Sequence, residues 1–347
     1  MRLQVNARNR GYPFEAQSGE RVLYAGLGSG VDLPYECGTG TCGTCKAKLI
    51  EGRVRDLWPE APGKKHLKSG QDELLMCQCA AEGDLTLEVS TFVYAMNPGG
   101  CVPARCAGIL RAPRALTADV MAFRVDLERA RDFDAGQFVV LGAPGVGGPR
   151  AYSMVNFEHA ARSLEFVARQ KPGGGFSEWL FGGSAEGARL DVFGPLGKAT
   201  FYPGLGKNLL CIAGGSGIAG IMSILSRASQ ERYFEQYRGD VYFGVRTMKD
   251  AFYLGELSAF RRQSPHHLRV TVALSDEPVP GSTARDWPEL AFAQGLVHEV
   301  AKRGMQGNYA NVRAYVAGPP PAVDATIRVL LLEAKLTADN IRYDKFS

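Results

Sequence analysis

Five of the chain's eight cysteines fall between positions 37 and 79, and this clustering constrains the fold more than any other feature. Cys37, Cys42 and Cys45 stand in the run Cys-Gly-Thr-Gly-Thr-Cys-Gly-Thr-Cys, and Cys77 and Cys79 follow in Leu-Leu-Met-Cys-Gln-Cys. In a cytosolic chain the compartment keeps thiols reduced, so clustered cysteines there bind metal or carry out redox chemistry rather than pair as disulfides. Gly38, Gly40 and Gly43 let the loop wrap closely, which turns backbone N–H groups toward sulfur.

The C-x4-C-x2-C spacing resembles that of plant-type ferredoxins, where four thiolates converge on a [2Fe-2S] cluster. The expected ligands are Cys37, Cys42, Cys45 and Cys77, with Cys79 as a possible replacement for the fourth. A competing arrangement joins Cys42 and Cys45 to Cys77 and Cys79 as a zinc site of four thiolates, but it leaves Cys37 idle and uses a C-x-C spacing poorly suited to zinc. Cys101, Cys106 and Cys211 read as small buried apolar residues.

At 347 residues the chain is long enough for two or three packed units. Forty Lys and Arg against 36 Asp and Glu give a net charge of +4, too small and too dispersed for a nucleic-acid partner. Residues 1–10 alternate polar and apolar side chains without a signal-peptide core, and no run of about 18 apolar residues is present to span a bilayer. A cytoplasmic protein off the membrane is expected.

Residues 3–7, 49–54 and 85–90 read as strands and Val22 to Leu27 as a short helix, which together make an N-terminal domain over 1–98. From 101 to 203, short strands separated by Gly, Pro and Asp predict an antiparallel β-barrel. From 204 to 347, apolar strands at 208–214, 240–245, 268–275 and 312–320 alternate with helical patterns, including one over 322–336. That alternation predicts a doubly wound parallel α/β sheet.

Two features of the barrel segment suit one dinucleotide. Arg150 offers a guanidinium for pyrophosphate, Tyr152 a ring to stack on isoalloxazine, and Ser153 a hydroxyl for the flavin N5 edge. Gly174, Gly175 and Ser177, in Pro-Gly-Gly-Gly-Phe-Ser, open a helix whose backbone amides can hold a diphosphate. The turn from Gly194 to Gly197 fits a cofactor contact and a plain tight turn equally well.

In the last segment, Gly214, Gly215 and Gly217 lie between a buried strand and a helix, the context that gives a glycine turn meaning as a dinucleotide site. The spacing is not G-x-G-x-x-G. Gly318 and Pro319 form a second tight loop at the carboxyl edge of the sheet, where nicotinamide is expected. Arg246 is placed either against the adenosine half or in solvent, and Phe346 either over the flavin or against the last strand.

Taken in order, YECGTGTCGTCKAKLIEG, LLMCQC, RAYS, PGGGFS, AGGSGIA and AGPPPAVDA resemble, over the whole chain, the reductase components of bacterial multicomponent oxygenases. PYECGTGTCGTC, DLWPEAPG and the terminal YDKF are most similar to the reductases of toluene, phenol and alkene monooxygenases. The resemblance implies a β-grasp ferredoxin domain, then FAD and NAD domains, with electrons passing from NADH through FAD and [2Fe-2S] to a terminal oxygenase or an intermediary ferredoxin. A monomer is expected, and no acid-base triad is needed or found in the sequence, since the cofactors carry the chemistry. Reductases of Rieske dioxygenases, or of haem monooxygenases or desaturases, are alternatives, and an iron-sulfur redox sensor is the non-enzymatic one. Two positions depart from the family: Gly220 where Pro is common, and Ala317 where Cys is common.

Overall fold

Burial alternates along the first two strands, and that period of two sets the N-terminal sheet. In a computed structural model, which describes residues 1–345, β1 (Arg2–Asn6) and β2 (Gly11–Glu15) form an antiparallel hairpin. Leu3 and Val5 face inward from one strand, Tyr12 and Phe14 from the other. Helix α1 (Val22–Gly28) buries every residue from Val22 to Leu27 and packs against β2 and the 3-10 turn Met76–Gln78.

With β3 (Lys46–Glu51), β4 (Val54–Asp56), β5 (Glu73–Leu75), β6 (Cys79–Ala81) and β7 (Leu85–Glu88), the sheet order is β2-β1-β7-β3-β5, and β4 pairs with β6 apart. β1 and β7 run parallel at its centre while β3 is antiparallel to both β7 and β5, which makes this the expected β-grasp. The run 49–54, read as one strand, is two. Gly52 adopts φ +96° there, and a Cβ on it would meet the Asp84 carbonyl oxygen at 2.4 Å, so the chain turns from β3 into β4.

A second sheet contains β8 (Ala104–Ala115), β9 (Val120–Arg131), β10 (Phe138–Gly142), β11 (Arg150–Ser153), β12 (Ala161–Arg169) and β13 (Arg189–Leu196), in the order β11-β10-β13-β8-β9-β12. β9 and β12 are antiparallel and bring Phe123 opposite Phe166, with ring centroids 5.2 Å apart. Phe176, from the short helix α2 (Gly175–Phe181), joins that cluster at 6.3 Å from Phe123.

The third sheet is wholly parallel. β14 (Asn208–Gly214), β15 (Gly239–Val245), β16 (Leu268–Leu274), β17 (Ala291–Gln294), β18 (Val312–Gly318) and β19 (Ile341–Lys345) lie in the order β17-β16-β15-β14-β18-β19. The connections carry α3 (Ile218–Gln230), α4 (Leu254–Gln263), α5 (Thr283–Asp286), α6 (Val297–Gly304) and α7 (Pro320–Arg328). Strand order reverses between β14 and β18, and ligands of such sheets bind at the carboxyl end of that junction. The helix expected over 322–336 ends sooner: α7 gives way to a π turn, Val329–Glu333. Of its three successive leucines only Leu330 is buried, while Leu331 and Leu332 are 39% and 70% exposed, so a regular helix has no second apolar face to offer there.

By compactness the chain divides into two units, one of Met1–Gly108, Val139–Ala151 and Arg189–Leu196, the other of Ile109–Phe138, Tyr152–Ala188 and the residues from Gly197 onward. Among the described residues no helix is long and apolar enough to cross a membrane.

Phe166 is fully buried between the two antiparallel strands. Phe166→Ala is expected to destabilise the barrel segment by about 3–5 kcal/mol through lost burial and the cavity left behind. The check is a lower denaturation midpoint in urea, followed by tryptophan fluorescence.

Candidate functional site

Sheet register decides where the thiols meet. β3 starts at Lys46, directly after Cys45, and pairs antiparallel with β5 so that Lys46 lies opposite Leu75. The Met76 N–H donates to the Cys45 carbonyl at 3.1 Å, and the Cys45 and Cys77 sulfurs come to 3.2 Å. Cys79 is carried past them into β6, opposite Asp56. Burial pushes its thiol up to about 12, so it stays protonated.

Cys37 and Cys42 make the second pair. The hydrogen bond with Cys42 outweighs the opposing effect of burial and, helped by Thr41 and Thr39, brings the Cys37 thiol down to about 4. The Thr39 and Thr41 N–H groups donate to its sulfur at 3.4 Å each, and the Thr44 N–H donates to the Cys42 sulfur at 3.5 Å. The loop thus supplies backbone donors to sulfur, an electrostatic setting that stabilises thiolate. Two close dithiol pairs match the needs of two irons with two protein ligands each, and no group of three or more His, Cys, Asp or Glu among the described residues is gathered to hold a single metal ion.

Three side chains that the sequence reading did not single out hold this loop. Tyr24 of α1 is buried, donates its hydroxyl to the Gly38 carbonyl at 2.9 Å, and stacks on Phe193 with centroids 4.2 Å apart and planes 12° from parallel. Burial drives its phenol well above the ordinary range, so it acts as a donor at all working pH. Gln78 is fully buried against Gly40, and its Oε1 has no hydrogen-bond partner. A buried unmet acceptor costs about 1–3 kcal/mol, so it is not neutral filling.

Of the flavin candidates, Arg150 is curled onto its own turn. Its Nη1 donates to the carbonyls of Gly147, Gly148 and Pro149 at 3.4, 3.2 and 3.0 Å, and its guanidinium lies 5.6 Å from the Trp58 ring. Tyr152 packs on Phe176 at 5.0 Å. Ser153 is buried with no partner for its Oγ, an atom suited to a ligand's hydrogen-bonding edge. Gly174 caps α2 and Gly175 begins it, but the Ser177 hydroxyl is spent on the turn: it accepts from the Lys171 N–H and donates to the Gly174 carbonyl, both at 3.0 Å.

The nucleotide candidates converge on the β14 and β18 ends. Gly214 closes β14, Gly215 to Gly217 form a 3-10 turn, and α3 follows with no side-chain cap. Nothing lies within 4 Å of a Cβ built on Gly215, whereas one on Gly217 would strike the Ala317 carbonyl oxygen at 2.5 Å. The turn is therefore packed on the sheet side and open on the other, beside the start of α3, which no side chain caps, a setting suited to an anionic diphosphate. Gly318 ends β18 against the backbone of Gly214, and Pro319 caps α7. Gly220 lies on the face of α3 toward Ser153, whose Cβ is 3.8 Å from the position a Gly220 Cβ would take.

Arg246 sits just past β15 and is not free: its Nη2 is 3.0 Å from Asp250 Oδ1 and 3.8 Å from Asp119 Oδ2. Asp250 also accepts from the Thr247 N–H at 3.0 Å and the Thr247 hydroxyl at 2.9 Å. Burial opposes its ionisation, yet the bonds from Thr247 and Arg246 hold the carboxyl below its ordinary range. Phe346 lies outside the described residues.

Comparison with known proteins covers all three segments. A 2Fe-2S iron-sulfur cluster binding domain matches residues 5–82, an oxidoreductase FAD-binding domain 108–201, and an oxidoreductase NAD-binding domain 211–327. The ferredoxin–NAD(P)(+) reductase CarAd of Metapseudomonas resinovorans is 34% identical over 96% of this chain and 97% of its own length. The ferredoxin–NAD(+) reductase component of the alkene monooxygenase system of Xanthobacter autotrophicus is also 34% identical, over 97% and 99%. Among solved structures, the ferredoxin reductase in carbazole 1,9a-dioxygenase superposes with a TM-score of 0.83 at 30% identity, covering 100% of this chain and 99% of that one.

Gly40 adopts φ +91°, and a Cβ on it would approach the Gln78 side chain to 2.8 Å. Gly40→Ala is expected to strip iron from the purified protein, measured as iron per chain, while absorbance from bound flavin persists. Retention of full iron would show that the loop tolerates what its geometry forbids.

Proposed function

We propose, from the premise that this chain belongs to the ferredoxin–NAD(P)+ reductase components of multicomponent oxygenases, a residue-level assignment of its three cofactor sites. The chain is an NAD(P)H-dependent oxidoreductase using FAD and a [2Fe-2S] cluster, and its family delivers electrons to an oxygenase. FAD, when bound, takes electrons from the nicotinamide as a pair and hands them singly to the cluster.

Cys37 and Cys42 hold one iron and Cys45 and Cys77 the other, a reading supported by the two thiol pairs. Arg150 exchanges its turn carbonyls for the FAD pyrophosphate, with Gly174 and Gly175 contributing backbone amides. Tyr152 lies against the isoalloxazine and Ser153 donates to its N5 edge. Gly214, Gly215 and Gly217 take the nicotinamide nucleotide's diphosphate at the start of α3, and Gly318 and Pro319 border the nicotinamide. The observation that carries the assignment is the unpartnered Ser153 hydroxyl lying against α3, because hydride transfer needs the flavin edge and the nicotinamide within ~3–3.5 Å. The division into 1–98, 101–203 and 204–347 is supported by one family match falling inside each segment.

The partner in this reading is the oxygenase of a di-iron monooxygenase system or a ferredoxin serving it, with the reductase a cytoplasmic monomer. A Rieske dioxygenase partner is the second reading, favoured by the carbazole-dioxygenase reductase structure at a TM-score of 0.83. Reconstitution of NADH-driven turnover with each class of oxygenase separates the two.

NADH is the preferred donor in this reading, supported by the carboxylates of Asp250 and Asp119 that already engage Arg246 and compete with a 2′-phosphate for it. Asp250→Ala removes one of them and is expected to raise the ratio of NADPH to NADH specificity by roughly tenfold, the scale of one charge-assisted hydrogen bond. Steady-state kcat/KM with both nucleotides provides the check, and an unchanged ratio removes Arg246 from the ribose site.

The assignment as a whole is tested with purified holoprotein, whose absorbance should show both flavin and [2Fe-2S] and be bleached by NADH. Cys42→Ser is expected to lose the cluster spectrum and at least 90% of cytochrome c reduction while keeping NADH-to-ferricyanide activity. Loss of flavin reduction in that variant would contradict separate sites.

A further inference from the structure

Gln78 occupies a position that neither the ligand set nor the fold requires. It stands between Cys77 and Cys79, ends the 3-10 turn, and is 0% exposed, although a glutamine in a purely structural interior position brings four hydrogen-bonding capacities to satisfy. Its backbone already serves the fold, since the Gln78 carbonyl accepts from the Leu57 N–H at 2.8 Å. The side chain does something else. It lies flat on Gly40, with Cγ, Nε2 and Cδ at 2.8, 3.0 and 3.1 Å from the point a Gly40 Cβ would occupy, and its Nε2 is 3.9 Å from the Cys77 sulfur. Oε1 has no partner.

Chemistry orients this amide. A thiolate only accepts, so the NH2 end faces sulfur, and turning the group over would set the carbonyl dipole against the same negative charge. Neither the Gly40 backbone nor α1, both packed on this turn, brings a competing cation.

We propose that the Gln78 carboxamide donates an N–H···S hydrogen bond to the Cys77 thiolate of the [2Fe-2S] cluster and thereby raises the cluster's reduction potential, making Gln78 a positioning residue for the flavin-to-cluster step. The proposal rests on the assignment of Cys77 as a ligand. In that step one electron leaves the reduced flavin and enters the cluster. No bond forms or breaks, and the cluster becomes one unit more negative. A donor aimed at ligand sulfur stabilises the more negative state, and in a water-free site it does so strongly. Burial of Gln78 keeps water from replacing the bond, and contact with Gly40 fixes the amide beside sulfur rather than letting it swing away.

The test is an EPR-monitored redox titration of full-length holoprotein, comparing wild type with Gln78→Met, which keeps length and flexibility but has no N–H. The expected result is a cluster midpoint more negative by at least a tenfold change in the reduction equilibrium, 59 mV for one electron, with the flavin midpoint unmoved. Gln78→Asn, which keeps the amide but shortens its reach, should fall between the two. A second readout needs no variant: pulsed EPR of the reduced wild-type cluster, with glutamine side-chain nitrogen labelled as 15N, should show a weak 15N coupling. Equal cluster midpoints in wild type and Gln78→Met, or no 15N coupling in the wild type, overturns the proposal. A wild-type protein with no [2Fe-2S] signal would instead refute the ligand assignment beneath it.

Discussion

The pairing of β3 with β5 is the constraint on which the meeting of the distant thiols depends. Cys45 and Cys77 are far apart in the chain and belong to no common motif, yet they flank two strands whose register sets Lys46 opposite Leu75. A slip of one residue moves every side chain of a strand to its other face, so the register that buries Leu75 and Ala47 is the one that brings the two sulfurs together. Hydrophobic burial and thiol convergence are satisfied by one set of hydrogen bonds. That is why α1, which packs on the turn carrying Cys77, belongs to the site as much as to the core.

What was legible in the sequence was local. The loop cysteines lie within nine residues and their glycines announce the wrapping, so the motif needs no tertiary information to be read. Residues 209–213 are a continuous apolar run followed by glycines, and the strand covers Asn208–Gly214. The features that escaped notice are meetings of distant residues. Tyr24 and Phe193 stack from positions far apart, each reading alone as an ordinary apolar residue of a helix or strand. Gln78 looks like a spacer between cysteines until its burial is known. Local signals also misled where two patterns join smoothly: Leu49 to Val54 has strand composition throughout, and only the backbone of Gly52 divides it.

The two nucleotide-binding regions differ in what they demand of side chains. At the β14 and β18 ends the site is made of backbone: Gly217 rests on the Ala317 carbonyl, Gly318 on Gly214, and the helix start supplies N–H groups. Such a site tolerates side-chain variation so long as nothing fills the open face above Gly215. The barrel region offers side chains instead, the guanidinium of Arg150 folded on its own turn and the unpartnered hydroxyl of Ser153.

The same contrast bears on one of the two departures from the family. Ala317 acts at its carbonyl, which seats Gly217, and any residue at 317 presents that carbonyl. The seating of Gly217 therefore makes no demand on the side chain at 317. Gly220 sits on the face of α3 that adjoins Ser153 and the Gly136 carbonyl, with 3.7–3.8 Å of clearance for a single carbon. Proline in the first turn of a helix is tolerated because its missing N–H has no partner there. Position 220 is the third residue of α3, which follows directly on the 3-10 turn Gly215–Gly217, and nothing in the structure explains a preference for Pro over Gly there. Ala317 thus departs where the backbone carbonyl, not the side chain, makes the contact.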